Sequence, residues 1–82
     1  MNKSELKQYI IENALKERRI LKQDQNLQEY FKNQGDKKGE KLFKQCAERD
    51  LTRWAVFREL IEVMDIDEEY MKALIEENNE NA

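Results

Sequence analysis

The stretch DLTRWAVFRELIEVM, residues 50–64, is the most apolar run in the chain, and it decides the predicted fold. Its large apolar side chains recur at steps of three and four, which places them on one side of a helix: Trp54, Phe57, Leu60, Ile61 and Met64. A helix with so broad an apolar surface is not stable alone in water. We therefore expect other helices to cover this one, with Trp54 near the centre.

Length and composition predict one all-α domain. The chain has 82 residues, of which 39% are hydrophobic and 40% are charged, and it has no proline. Strand signals are absent, because no long window alternates apolar and polar residues between turn residues. The sequence predicts a compact bundle of four to five helices over residues 1–78, followed by a frayed polar tail at 79–82.

The first predicted helices are bounded by capping signals. Asn2 and Glu5 have the spacing of a capping box, so the first helix should begin by residue 5. Residues 24–26 offer a turn, after which a short second helix should end near Gly35. Asp36 can cap the helix that follows.

Two boundaries are predicted in the second half of the chain. Asp50 either continues a long helix from residue 37 to 64 or caps a new one, and a break or kink is favoured because a carboxylate in an apolar seam is costly. The segment MDIDEE, residues 64–69, predicts a firmer boundary. There Asp65 and Glu68 have capping-box spacing, and Ile66 can pack on Tyr70 or Met71.

The charge distribution is uneven. Residues 1–53 carry 13 Lys and Arg against 9 Asp and Glu, whereas residues 54–82 carry 2 against 9, within a net charge of −3. This asymmetry either neutralises itself between neighbouring helices, which is the favoured interpretation, or leaves a basic and an acidic face for partners.

The residue inventory argues against catalysis and metal binding. The chain has no histidine and one cysteine, Cys46, so it cannot assemble a zinc site or a Cys–His nucleophile. An EF-hand interpretation of the segment from Asp65 to Glu76 fails, because Tyr70 occupies the position that needs glycine. We expect no enzyme activity, no cofactor and no metal.

The expected compartment is the cytoplasm. Charged residues interrupt the apolar cluster near the N-terminus, so no signal peptide is predicted. No run approaches the roughly 18 apolar residues that a membrane span requires. The single cysteine gives no reason to propose an oxidising compartment.

Residues 57–77 resemble a helix-turn-helix in their spacing, with an apolar helix, a short turn and a second helix. Ile61 and Asp65 depart from that pattern, because they replace a small residue and a glycine. The second helix is also strongly acidic, so phosphates would be repelled. A nucleic-acid interface would therefore use the basic clusters, although solvated lysines are the simpler interpretation: Lys16, Arg18, Arg19, Lys22, Lys37, Lys41 and Lys44.

The favoured function is that of a small regulatory or adaptor protein that contacts another protein through its acidic last helix. A homodimer is left open, because so short a chain buries a small fraction of its surface. The alternative is a small nucleic-acid-binding regulator. The partner-binding candidates are Glu68, Glu69, Lys72, Glu76 and Glu77.

Overall fold

A computed structural model describes residues 1–80, which form three helices. These are α1 (Lys3–Asn33), α2 (Lys37–Val63) and α3 (Asp67–Glu80). The long helices α1 and α2 form an antiparallel hairpin that makes most of the interhelical contacts. The prediction of four to five helices in a compact bundle is therefore wrong, since two expected boundaries lie inside continuous helices.

The turn expected at residues 24–26 does not occur, because α1 passes through it without interruption. Neither glycine nor proline stands in this segment, so the backbone has no reason to leave the helix. Leu21 is buried before the segment, and Phe31 stacks on Phe43 of α2 after it, with ring centroids 5.4 Å apart. Packing against α2 thus continues along the whole of α1.

The break favoured at Asp50 is also absent, because α2 runs on to Val63 with Asp50 buried in its middle. The pKa of the Asp50 carboxyl is raised to about 6, mainly by burial and in addition by the neighbouring Asp24 carboxyl of α1. A protonated carboxyl group carries no charge, so it costs less to bury than an ionised one. The raised pKa of Asp50 therefore reduces the desolvation cost on which the predicted break rests.

The apolar core lies at the end of the hairpin opposite the turn, where α3 packs. Ile61 and Ile66 have no exposed surface, and they pack in one cluster with four other buried residues: Ile10, Ile11, Ala14 and Tyr70. Trp54 is only half-buried and lies outside this cluster, so the centre of the core is about two turns further along α2 than predicted.

The molecule is elongated. Its principal extents are 48 × 26 × 18 Å and its radius of gyration is 15.1 Å, whereas a compact chain of this length has about 12 Å. The half of the hairpin next to the turn has two helices and no third, so its side chains are covered on one flank at most. A large part of the apolar surface therefore faces solvent.

The helix ends follow the local sequence. The Glu5 amide donates to Asn2 Oδ1 over 2.8 Å, which confirms Asn2 as the cap of the first helix. The Gly39 amide donates to Asp36 Oδ1 over 3.0 Å, as a cap at Asp36 requires. Gly35 has φ +73° in the first turn, and Asp65 has φ 55° in the second, where the predicted boundary at residues 64–69 is confirmed.

The polar tail predicted at residues 79–82 falls partly inside α3. Residues 79 and 80 are helical, and residues 81 and 82 lie outside the described residues. Among residues 1–80, no helix combines the length and the apolar character needed to cross a membrane.

Candidate protein-interaction surface

α3 is anchored to the hairpin by one side of its surface. Ile66, just before the helix, and Tyr70, in its first turn, are buried in the same apolar cluster. The indole Nε1 of Trp54 donates to the Tyr70 hydroxyl oxygen over 3.4 Å. The Arg58 guanidinium lies 5.6 Å from the centroid of the Tyr70 ring, within cation–π range. Tyr70 thus joins α3 to α2 by apolar, polar and cation–π contacts.

Two ion pairs fix α3 near its ends. Arg58 of α2 donates to Asp67 over 2.8 Å, and this hydrogen bond raises the pKa of the Arg58 guanidinium above its ordinary value. Arg19 of α1 pairs with Glu77 three turns further along α3. Of the two pairs, only Arg19–Glu77 joins the basic residues 1–53 to the acidic residues 54–82, so it is the one that neutralises part of the charge asymmetry.

The opposite side of α3 presents an apolar strip to solvent. Met71 and Ile75 follow one another by one helical turn and are 47% and 55% exposed. Since Tyr70 points into the core, residues one and five positions later are rotated roughly 100–140° away from it. We call this surface the α3 strip, and its lining residues are Asp67, Glu68, Met71, Lys72, Ile75 and Glu76.

The predicted partner-binding residues divide into three groups. Glu68, Lys72 and Glu76 line the α3 strip. Glu69 is exposed but does not line it. Glu77 is turned toward α1 and paired with Arg19, so its carboxylate is already engaged within the chain.

The helical spacing of residues 70, 71, 74 and 75 predicts that all four lie on the inner side of α3, and this prediction is wrong for Met71 and Ile75. Tyr70, Ala73 and Leu74 already occupy that side. A helix whose apolar positions include 70, 71, 74 and 75 has too wide an apolar arc to bury against one hairpin. That width was the available signal that part of the arc faces solvent.

The basic residues are divided between the two helices of the hairpin. Arg19 is paired with Glu77, and Arg18 is half-buried. Lys22 lies on α1 and Lys44 on α2. Because Phe31 lies opposite Phe43, the two lysines are separated by roughly 12 Å along the axis of the hairpin. The remaining members of the two clusters are exposed: Lys16, Lys37 and Lys41.

No family model, curated protein or solved structure matches the chain. Across residues 1–80, no three His, Cys, Asp or Glu side chains converge on a point where they could hold a metal ion. The chemistry that the α3 strip offers is recognition: two apolar side chains for burial, bordered by carboxylates that attract cations.

Proposed function

We propose that the protein is a non-enzymatic adaptor that binds a basic amphipathic helix of another protein along the α3 strip. The observation that carries this proposal is the exposure of Met71 and Ile75 between Glu68 and Glu76. An amphipathic helix can lay its apolar side on such a strip, with anchors spaced by three or four residues.

Charge identifies the chemistry of the partner. α3 carries six acidic residues and one lysine, which gives it a net charge of −5. Two of the acidic residues, Asp67 and Glu77, are paired with arginines of the hairpin. The others remain on the exposed side or its edges, so lysine and arginine residues that flank an apolar stripe would meet opposite charge.

The function is tested with a 14-residue amphipathic helix of leucine and lysine, titrated into the protein at physiological ionic strength and followed by fluorescence anisotropy. A peptide of the same composition in scrambled order is the first control. We expect micromolar binding of the amphipathic peptide, weakened by added salt, and at least tenfold weaker binding of the scrambled one.

The charge-reversed variant Glu68→Lys/Glu76→Lys should weaken binding at least tenfold, because it places lysines beside the lysines of the peptide. Glu12→Lys/Glu48→Lys is the matched control, since it reverses two exposed carboxylates on the hairpin and should leave the affinity unchanged. Equal losses in both variants would overturn the assignment to α3. Salt-sensitive binding of a DNA duplex with higher affinity than the peptide would instead favour the nucleic-acid regulator.

A further inference from the structure

One side of the hairpin is apolar and is not covered by α3. On α1, Leu6, Ile20 and Leu27 are spaced by multiples of seven and so lie on one stripe. On α2, Leu42, Cys46 and Leu60 form the corresponding stripe, with Leu42 and Leu60 separated by five complete turns. We call these two stripes together the open face.

The open face lies on the opposite side of the hairpin from α3. Arg58, which contacts α3, is roughly 160° around α2 from Leu60. Within residues 1–80, nothing covers Leu6, Leu42 and Leu60, which remain 40%, 55% and 38% exposed. Exposure of these apolar side chains to water is unfavourable. The hairpin buries few large apolar side chains that would offset this cost.

The middle of the open face carries charged groups of both signs. Asp24 and Asp50 meet across the hairpin there, and Asp50 Oδ2 is buried with no hydrogen-bond partner among the described residues. Arg53 lies midway between Cys46 and Leu60 on the α2 stripe, where its charge acts on Asp50 of the same chain, although within residues 1–80 it forms no ion pair at 4.0 Å or less. Asp50 is the central residue of α2, so these charges lie close to the centre of the hairpin.

We propose that the open face binds a second copy of this chain, giving a four-helix dimer of two hairpins. A two-fold axis through the middle of the face brings the Arg53 side chain of each copy over the Asp24–Asp50 pair of the other. The leucines of the two faces are buried against one another at the same time. Charge and apolar surface are thus both self-complementary.

The area of the face is sufficient for such a dimer. The molecule is 48 Å long, and two adjacent helices, each about 10 Å across, present roughly 900 Å² on one side. One partner of a standard stable interface contributes about 800 Å². The α3 strip stays accessible in this dimer, because it lies on the outer surface of each copy.

The dimer is tested by sedimentation equilibrium of the full chain, which has a mass of 10.0 kDa. Twice that mass is expected at a protein concentration on the order of 100 μM, with dissociation on dilution. Leu60→Glu and Arg53→Glu should each raise the dissociation constant at least roughly tenfold. Circular dichroism of each variant establishes that the helices are still formed.

Two matched controls locate the interface. Lys41→Glu reverses an exposed positive charge away from the open face, and Met71→Glu places the same carboxylate on the α3 strip; neither should change the dissociation constant. A wild-type chain that stays monomeric at the higher concentration would overturn the proposal, as would folded Leu60→Glu and Arg53→Glu variants that dimerise like wild type. Because Glu68→Lys/Glu76→Lys alters only α3, whereas Leu60→Glu and Arg53→Glu alter only the open face, the dimer and the proposed function can fail independently.

Discussion

Asp50 of α2 faces Asp24 of α1 across the seam of the hairpin, and this second carboxyl group adds to the effect of burial on the pKa of Asp50. Arg49 and Arg53 lower the pKa of Asp50, but burial and Asp24 outweigh them and raise it from 3.8 to about 6. A carboxyl group whose pKa is raised in the folded state stabilises the fold most when it is protonated. The seam is therefore weakened by ionisation of Asp50 rather than by its neutralisation.

Asp50→Asn should stabilise the monomer at pH 7. The contribution of Asp50 to stability is complete below pH 3.8 and is lost as the pH rises through about 6. An amide is neutral throughout, so the gain in unfolding free energy should be about 3 kcal/mol at pH 7 and only about 0.5 kcal/mol at pH 4. Urea unfolding at low protein concentration measures both values. A gain of equal size at the two pH values would show that ionisation of Asp50 is not the cause, and Glu48→Gln serves as an exposed control.

Gly39→Ala should destabilise the hairpin by about 1 kcal/mol, although alanine is the better helix former. A Cβ atom at residue 39 would lie 2.6 Å from Cγ of Phe31. The Phe31 ring cannot move away freely, because it is stacked on Phe43. In a Phe31→Ala background the same substitution should become stabilising, since the clash is gone and the helix propensity remains. Thermal unfolding of the four chains checks this change of sign.

Asp65→Gly should stabilise the chain by about 0.5–1 kcal/mol. Asp65 adopts φ 55°, a left-handed conformation that glycine reaches without a steric penalty. Gly35→Ala is the converse substitution, and it should lower the free energy of unfolding by about 1 kcal/mol. Gly35 has φ +73° and open space around it, so the whole of this loss comes from the backbone conformation. Chemical denaturation should show opposite shifts for the two variants, and shifts in the same direction would contradict the assigned backbone geometry.

Ile66→Ala and Ile75→Ala compare the inner and outer sides of the α3 region with the same substitution. Ile66 has no exposed surface and Ile75 is 55% exposed. We expect a loss of 2 kcal/mol or more for Ile66→Ala and within about 0.5 kcal/mol for Ile75→Ala. Urea midpoints give both values. If the larger loss belonged to Ile75, the orientation of α3 would be wrong.

Local signals in the sequence predicted the helix ends better than the number of helices. Asn2, Asp36 and the segment at residues 64–69 act within one turn of the backbone, so their residue types suffice to place a boundary. Whether a helix continues past a given residue depends instead on the helix that packs against that residue. Asp50 could not be placed correctly without knowing that Asp24 lies opposite, because the cost of a buried carboxyl depends on its partner.

The sequence predicted only part of the candidate site, because the rest also depends on contacts with another helix. The acidic character of α3 is visible in the composition, and Glu68, Lys72 and Glu76 do line the α3 strip. The rotation of α3 about its own axis is set by Tyr70, which packs beneath Trp54 and Arg58, and these contacts are long-range. Met71 and Ile75 consequently appeared to be core residues.

The central claim is that the α3 strip is a surface for binding another protein, and it is tested most directly by mapping the bound peptide. Amide chemical shifts of the ¹⁵N-labelled chain would be followed during titration with the leucine–lysine helix. We predict saturable changes concentrated at Met71, Ile75 and their acidic neighbours, which are absent in Glu68→Lys/Glu76→Lys. Changes spread over all exposed carboxylates of the hairpin, or no changes in α3, would contradict the account.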